Sequence, residues 1–385
     1  MSRVGGFVLF LVFALSLIGG LHYYFWVRLV RDTALPTPWR QIATGLLWFL
    51  GLSMPVSMML WRSHHPLRNV LAWPAFIWMG MILSLTVVIF GTDVVKLVMR
   101  AGGGLRDPER RLAMQRLLGA AAATLSAGLG ALALREGTKR VLVRNVDVVL
   151  PRLPKALDGF TIVQLTDIHV GGQTIHRQFI EEIVATTNGL GADLVAITGD
   201  LVDGSVAELR DHVAPLAQLK ARHGVYFVTG NHEYYAGVDE WLAHLPSLGV
   251  KVLHNERVSI GRGGDSFDLA GVDDYNARGL PGHGPDLPRA LDGRDGTREL
   301  VLLAHQPRAI HEAAAHGVGL QLSGHTHGGQ IWPWGFAVRL QQPYVAGLAR
   351  HKDTQLYVSR GTGYWGPPMR LGAPAEITRI RLHAA

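Results

Sequence analysis

Long uncharged apolar runs occupy the first third of the 385-residue chain and limit what it can fold into. Residues 4–27 form a run of 24 residues without Lys, Arg, Asp or Glu, with Tyr23, Tyr24 and Trp26 near its end. A helix rises about 1.5 Å per residue, so roughly 20 apolar residues cross the hydrocarbon layer of a bilayer. Residues 41–61 and 69–92 repeat the pattern, and residues 117–134 form a shorter run rich in Ala and Gly. The sequence therefore predicts an α-helical membrane domain over 1–136 with three to four transmembrane helices, at about 4–27, 41–61, 69–92 and 117–134.

The charges divide unevenly along the chain. Residues 1–140 hold 15 Lys and Arg against 5 Asp and Glu, whereas residues 141–385 hold 22 against 25. Basic residues that flank membrane helices set their orientation. The second part has no basic stripe with interleaved aromatic residues, which is the pattern that indicates nucleic-acid binding. We therefore predict the bilayer as a partner and no nucleic acid.

The positions of the basic residues predict how the helices are oriented. Residues 28–40 and 96–116 together hold nine basic residues, whereas the short segments on the opposite side hold three, Arg3, Arg62 and Arg68. Loops rich in Lys and Arg remain in the cytoplasm. With four spans, this rule places everything after Arg135 outside the cytoplasm. We expect an integral protein of a bacterial inner membrane whose second part, residues 141–385, is extracytoplasmic.

From about Val141 the pattern changes to short apolar runs separated by Gly, Asp and Asn, alternating with helical stretches. Five of the runs are typical of buried strands. They are 161–166 (TIVQLT), 194–198 (LVAIT), 225–229 (VYFVT), 301–304 (VLLA) and 319–323 (GLQLS). The sequence predicts an α/β domain over 141–385, and such a fold places ligands in the loops at the carboxyl edge of its sheet.

Candidate ligand residues follow directly after each of these runs. They are Asp167-Ile168-His169, Gly199-Asp200, Gly230-Asn231-His232-Glu233, His305 and Gly324-His325-Thr326-His327-Gly328. Because the chain has no cysteine, the donors are oxygen and imidazole groups, which suit Mn, Fe or Zn. The set is larger than one ion needs, so we predict two divalent metal ions that share one carboxylate. Two such ions lower the pKa of a shared water and hold the attacking and leaving oxygens of a phosphoryl group.

The ordered series D-x-H, G-D, G-N-H-E, H and G-H-x-H, over residues 160–330, resembles the calcineurin-like metallophosphoesterases. The continuation Gly328-Gly329-Gln330 and the preceding membrane part make the chain similar to the transmembrane metallophosphoesterases and related bacterial phosphodiesterases. The resemblance implies a four-layer α/β/β/α sandwich. It also implies a ligand set for each metal: Asp167, His169 and His327 for the first, and Asn231, His305 and His325 for the second. Asp200 would bridge the two metals. His232 would be catalytic, protonating the leaving oxygen or stabilising the transition state.

The activity that the resemblance implies is hydrolysis of phosphate esters, with diesters favoured, by in-line attack of a metal-bound hydroxide. Because the chain is expected to lie in a membrane, we consider a phospholipid or a nucleotide-linked lipid as substrate. The alternative is a membrane-bound sensor or scaffold with a structural metal site and no turnover. The chain contains neither the G-x-S-x-G motif of serine hydrolases nor a Walker loop.

Two groups of residues near the ligand motifs can each be interpreted in two ways. Asp203 and Glu233 either orient ligands or are polar turn residues. The aromatic residues that follow the last motif either pack in the core or a lid, or form an apolar rim that admits an acyl chain beside the phosphate site. These aromatic residues are Trp332, Trp334, Phe336, Tyr364 and Trp365.

Overall fold

The computed structural model describes residues 3–60, 67–102, 107–262 and 265–385. The chain divides into two units, Met1–Arg135 and Glu136–Ala385. Four long helices begin the chain: α1 (Arg3–Trp26), α2 (Trp39–Leu60), α3 (Leu67–Ala101) and α4 (Pro108–Gly137). Four helical segments are long and apolar enough to cross a membrane: Leu11–Arg31, Trp39–Leu60, Val70–Ala101 and Pro108–Gly137. The structure thus has four such segments where three to four spans were predicted. Trp61, with which the predicted second span ends, lies outside the described residues.

The helices extend into segments whose basic residues were counted as loop residues in predicting the orientation. Helix α3 continues past the predicted end at Thr92, so Asp93 and Lys96 lie inside it. The Asp93 carboxylate accepts hydrogen bonds from Tyr24 at 2.8 Å, Arg28 at 2.9 Å and Lys96 at 3.4 Å. Charges that are paired in this way cost less to hold within a membrane helix than isolated ones. The predicted loop 96–116 is therefore helical at both of its ends.

Two six-stranded sheets form the core of the second unit. The strands are β1 (Leu142–Leu150), β2 (Thr161–Leu165), β3 (Leu194–Thr198), β4 (Val225–Val228), β5 (Val250–Val252), β6 (Glu256–Arg262), β7 (Asp265–Gly271), β8 (Leu300–Leu303), β9 (Leu320–Ser323), β10 (Gly347–His351), β11 (Thr354–Val358) and β12 (Glu376–Ala384). The strand order is β1-β12-β2-β3-β4-β5 in the first sheet and β10-β11-β9-β8-β7-β6 in the second. Strands β2 to β5 are mutually parallel, as are β11, β9, β8 and β7.

The second unit has four layers because alternate residues of each strand face opposite sides. In β3, Val195 and Ile197 pack on helices outside the first sheet, whereas Leu194 and Ala196 face the second sheet. The helices of this unit are α5 (Arg177–Gly189), α6 (Val206–Val213), α7 (Asn231–Ala236), α8 (Val238–His244), α9 (Leu287–Ala290), α10 (Ile310–Ala315) and α11 (Gly335–Val338). Another apolar cluster packs Ile310 of α10 against Leu300 and Leu302 of β8, which closes the other side. The predicted α/β/β/α sandwich is confirmed.

Candidate metal centre

The carboxyl ends of five parallel strands bring the eight predicted site residues together. Asp167 and His169 follow β2, Asp200 follows β3, Asn231 and His232 follow β4, His305 follows β8, and His325 and His327 follow β9. All five predicted strands are present, with ends that differ from prediction by one residue at most. Because each polar segment begins where its strand ends, the segments meet at one edge of the sandwich.

One group of donors consists of Asp167, His169 and His327, all buried. The Nε2 atoms of His169 and His327 lie 3.1 Å apart, and His327 Nε2 lies 3.4 Å from Asp167 Oδ1. Ligand atoms of the three residues all lie within 4.8 Å of one another. The spacing is compatible with three ligands around one ion of the size of Zn²⁺ or Mn²⁺.

A second group consists of Asp200, His305 and His325. His305 Nε2 lies 3.1 Å from Asp200 Oδ2 and 3.3 Å from His325 Nδ1. Asn231 directly precedes His232, whose backbone N–H donates to Asp200 Oδ1 at 2.8 Å. The buried Oδ1 of Asn231 has no hydrogen-bond partner among the described residues. Leaving a buried acceptor unsatisfied costs about 1–3 kcal/mol. A cation that took this oxygen as a ligand would remove that cost, so the donor set fits a metal here.

Asp200, a member of the second group, also lies within reach of the first. Its Oδ2 is 3.1 Å from His305 Nε2 in the second group and 3.9 Å from His169 Nε2 in the first. The carboxylate is almost fully buried. One carboxylate within reach of both groups is the arrangement that a bridging ligand requires.

The backbone at these residues is strained. Five of the seven predicted ligands have a positive φ, which is rare outside glycine. They are Asp167, His169, Asp200, His325 and His327, with φ between 49° and 70°. A Cβ added at Gly230 would meet Asp200 Oδ1 at 2.2 Å, and one added at Gly324 would meet Asp167 Oδ2 at 2.1 Å. The glycines of the motifs thus let the neighbouring backbone approach the carboxylates closely.

Hydrogen bonds on the far side of two rings direct their lone pairs into the cluster. His305 Nδ1 lies 2.8 Å from Thr198 O, an acceptor only, so Nδ1 carries the proton and Nε2 is available as a ligand. His169 Nδ1 donates in the same way to Asp203 Oδ1 at 2.8 Å. Burial and the neighbouring His305 lower the pKa of His325 to about 3, so its ring is neutral at neutral pH, the form that binds a metal.

His232 occupies a different position from the ligands. Its Nδ1 donates to Asp203 Oδ1 at 2.7 Å, and its backbone N–H donates to Asp200 Oδ1 at 2.8 Å. Burial lowers the pKa of His232, but the charges of Asp200 and Asp203 and the hydrogen bond to Asp203 outweigh it and raise the pKa to about 9. With Nδ1 held by Asp203, Nε2 is the nitrogen left to transfer a proton at the site.

Asp203 and Glu233 both contact the predicted site. Asp203 accepts from His169 and His232 through the same oxygen, and although burial raises its pKa, those two rings lower it to about 2. Glu233 is fully buried and accepts from the backbone N–H groups of Gly230, Asp200 and Leu201 at 2.6, 3.0 and 2.7 Å. Burial and the charge of Asp200 raise the pKa of Glu233 to about 7. Of the two interpretations, orientation of the site agrees with these contacts.

The aromatic residues after the last motif divide into two kinds. Tyr364 is buried, and its hydroxyl contacts Thr174 N at 2.8 Å. The others form what we call the aromatic rim: Trp332, Trp334, Phe336 and Trp365, which are 57%, 55%, 67% and 55% exposed. Core packing is therefore correct for Tyr364, whereas the other four residues do not pack in the core. Whether these four form a lid or a rim for an acyl chain stays a prediction.

Arg370 is a site neighbour that the sequence reasoning missed. It is fully buried, donates to Gly363 O at 3.1 Å and Ala373 O at 2.7 Å, and places Nη2 3.3 Å from His327 Nδ1. Burial, the adjacent His169 and the Arg370 charge all lower the pKa of His327, which keeps its ring neutral. No motif surrounds Arg370, because its partners are backbone carbonyls that carry no sequence signal.

The chain is similar in sequence to known metallophosphoesterases. The family model for calcineurin-like phosphoesterases matches residues 160–329. A Bos taurus transmembrane protein with metallophosphoesterase domain is 45% identical over 298 residues, which cover 74% of this chain and 66% of that protein, just under two thirds of its length. Among solved structures, a dimetal phosphatase from Danio rerio is 13% identical, with a TM-score of 0.36 over 53% of this chain and 88% of that chain. An uncharacterized metallophosphoesterase of Campylobacter jejuni is 33% identical over 384 residues, which cover 98% of both proteins. Because this last relative aligns over nearly its whole length, the chain belongs to the calcineurin-like metallophosphoesterase family.

Proposed function

We propose that the protein is a membrane-anchored, two-metal hydrolase of phosphate esters. The position of Asp200, in one group of His and Asp donors and within reach of the other, is the observation that carries this proposal. In it, Asp167, His169 and His327 hold one divalent ion and Asn231, His305 and His325 hold the other, with Asp200 as the shared ligand. Mn, Fe and Zn all suit these oxygen and imidazole donors.

When bound, two such ions lower the pKa of an attacking water and neutralise charge on the phosphoryl oxygens. The protein's own part in the reaction falls to His232. Its Nδ1 donates to Asp203, so the ring is fixed in orientation and Nε2 can donate a proton to the leaving oxygen. Metal ions at Asp200 would offset part of the rise in the His232 pKa, because that carboxylate contributes to the rise.

A turnover assay combined with metal analysis tests the proposal. The purified protein, loaded separately with Mn²⁺, Fe²⁺ or Zn²⁺, is incubated with a soluble chromogenic phosphodiester and the corresponding monoester. We expect metal-dependent hydrolysis, and we expect Asp200→Asn to abolish it while the protein keeps its fold by circular dichroism. The rival function is a sensor or scaffold with a structural metal site. Bound metal without hydrolysis of any ester in a broad panel would favour that rival.

The aromatic rim supports a lipid-linked substrate. Trp365 reaches the catalytic position, because its ring lies 5.8 Å from that of His232. Gln330, two residues before Trp332 of the rim, holds Trp365 in place. Its side chain donates to Trp365 O at 2.9 Å and accepts from Trp365 N at 3.0 Å. Exposed indole rings present a large apolar area with a polar N–H, as at membrane interfaces. We infer that the rim receives the acyl chains of a phospholipid or nucleotide-linked lipid, whose phosphate is a diester.

Replacing part of the rim tests the substrate class. We expect Trp332→Ala with Trp334→Ala to lower kcat/KM for a lipid phosphodiester by about tenfold or more, because each lost contact is worth about 1 kcal/mol. The same protein should hydrolyse a small chromogenic diester at the wild-type rate. Phe13→Ala, in the exposed apolar part of α1, is a control for loss of an exposed aromatic residue that belongs to the first unit. Equal losses on the lipid and the small ester would contradict the role of the rim.

We also propose that the protein lies in a bacterial inner membrane with the catalytic domain outside the cytoplasm. The count of nine basic residues against three in the short flanking segments supports this orientation. Protease added to intact spheroplasts should then digest the catalytic domain. Digestion only after the membrane is permeabilised would reverse the assignment.

A further inference from the structure

A second cluster of imidazole and carboxylate groups lies among residues that the candidate metal centre does not use. It consists of His254, Asp273 and His283, whose ligand atoms lie within 4.8 Å of one another. His254 lies between β5 and β6, and Asp273 follows β7. His283 belongs to the segment 272–286, a loop with one short 3₁₀ helix, Tyr275–Ala277. Strand β5 is at the edge of the first sheet and β6 is at the edge of the second. The cluster therefore joins the edges of both sheets to one long loop.

Asp273 is the buried centre of this cluster. Its side chain is 1% exposed; Oδ1 lies 2.7 Å from His254 Nδ1, and Oδ2 accepts from Gly284 N at 3.0 Å. An ionised carboxylate has about four lone-pair positions. Two accepted bonds therefore leave room for a further electrophile at this carboxylate.

His283 has an unsatisfied nitrogen that points to such an electrophile. Its Nε2 lies 3.1 Å from Asp239 Oδ1, an acceptor, so Nε2 carries the proton and Nδ1 presents a lone pair. That Nδ1 is buried, has no hydrogen-bond partner in the described part of the chain, and lies 3.8 Å from Asp273 Oδ2. A metal-binding histidine characteristically donates its other ring N–H to a carboxylate, which is the arrangement of His283 and Asp239.

Hydrogen bonding without a metal accounts for only part of the cluster. It explains the contact between His254 and Asp273. It does not explain why two acceptors, His283 Nδ1 and Asp273 Oδ2, face each other at 3.8 Å, which is too long for a hydrogen bond. A cation between them satisfies both. His254 Nδ1 then becomes a ligand, and its proton moves to the opposite ring nitrogen, since the His254 side chain is 27% exposed.

We propose that His254, Asp273 and His283 bind a structural divalent transition-metal ion, with Zn²⁺ preferred, separate from the dinuclear centre. Two imidazoles and a carboxylate are ligands that Zn²⁺ takes, and water supplies the fourth position beside the partly exposed His254. The ion fastens the segment 272–286 to the edges of both sheets. The site does not depend on whether the protein hydrolyses phosphoesters.

Metal counting on the full-length protein tests this site. Wild type and the double variant His254→Gln, His283→Gln are loaded with Zn²⁺ in detergent, desalted and analysed by mass spectrometry. We expect the variant to hold about one equivalent of zinc less than the wild type. His316→Gln, at the exposed end of α10, is the matched control and should keep the wild-type content. Equal zinc in the wild type and the double variant overturns the proposal. The test compares the zinc content of two proteins that share the same dinuclear centre, so its result does not depend on whether that centre binds metal or is active.

A second measurement on the wild-type protein avoids dependence on how the variant folds. The side chain of Arg278, within the segment 272–286, is 54% exposed and is a site for trypsin. Added Zn²⁺ should slow cleavage after Arg278 in the wild type, and a chelator should restore it. In His283→Gln the rate should not respond to Zn²⁺. A wild-type cleavage rate that is independent of Zn²⁺, or a variant that responds as the wild type does, overturns the proposal.

Discussion

Replacing Glu233 by glutamine should weaken the metal centre without touching any proposed ligand. The buried carboxylate joins two segments that supply ligands, because it accepts from the N–H groups of Asp200 and Leu201 after β3 and of Gly230 after β4. Gly230 directly precedes Asn231, so the carboxylate positions the proposed bridging ligand and one ligand of the second ion together. Glutamine has nearly the same shape but only one acceptor oxygen.

The cost of this change can be worked out from the individual hydrogen bonds. The best orientation of glutamine keeps the oxygen where Oε2 accepts from Asp200 and Gly230. Its NH₂ group then replaces Oε1, which accepts from Leu201 N at 2.7 Å and Val202 N at 3.4 Å. Leu201 N–H then loses its acceptor, which costs about 1–3 kcal/mol, and Val202 N–H loses a contact that adds little at 3.4 Å. The two bonds that remain, from Asp200 and Gly230, are no longer charge-assisted and each weaken by about 1 kcal/mol. The total is about 3–5 kcal/mol. If about 3 kcal/mol of this cost is lost from the free energy of metal binding, because the ligands are displaced, metal affinity falls about 100-fold.

The assay is retention of metal against a chelator. Glu233→Gln and wild type are dialysed against increasing chelator concentrations at about pH 8, above the Glu233 pKa of about 7, and their metal content is measured. The variant should lose metal at a chelator activity about 100-fold lower, and its melting temperature should fall. Glu240→Gln, on an exposed position of α8, is the matched control. Equal retention in the two variants would refute the role assigned to the Glu233 carboxylate.

Two further predictions concern proton transfer at the site. His232→Ala should keep the wild-type metal content and lose about 10²–10³-fold in turnover, because the residue contributes a proton and no ligand; loss of metal would mean that its role is misassigned. Asp203→Asn should shift the alkaline limb of the pH–rate profile to lower pH. The hydrogen bond to Asp203 and the charge of that carboxylate raise the pKa of His232 and so keep the acid form present to higher pH. Removing the Asp203 charge lowers that pKa, so the acid form is lost earlier as pH rises. An unchanged alkaline limb in Asp203→Asn would contradict the assignment of His232 as the acid.

Much of the fold could be predicted because its signals are local. Membrane helices are recognisable from uncharged runs, since the hydrocarbon layer imposes the same requirement on every residue of a span. Buried parallel strands are recognisable from short apolar runs, and β3 has the bounds that were predicted, Leu194–Thr198. The approximate place of the site followed as well, because ligand residues directly after strands must lie at one sheet edge. The roles of those residues remain proposals.

Other features depended on contacts between segments distant in sequence. Loops from different strands meet at the site, and their meeting decides two contacts. Asp203 accepts hydrogen bonds from both His169 and His232, and Arg370 lies beside His327. The extension of α3 past Thr92 depends on Asp93 finding Arg28 and Tyr24 on another helix.

The sequence by itself determined the apolar runs of three to four spans, the strands and the order of the polar motifs, because periodicity and composition act over a few residues. The tertiary structure alone decided which aromatic residues are exposed, with Tyr364 buried and Trp365 at the surface although they are neighbours. It alone also placed His254, Asp273 and His283 together. Burial and ligand spacing are properties of packed segments, and no local pattern specifies which distant segment will cover a side chain or complete a set of donors.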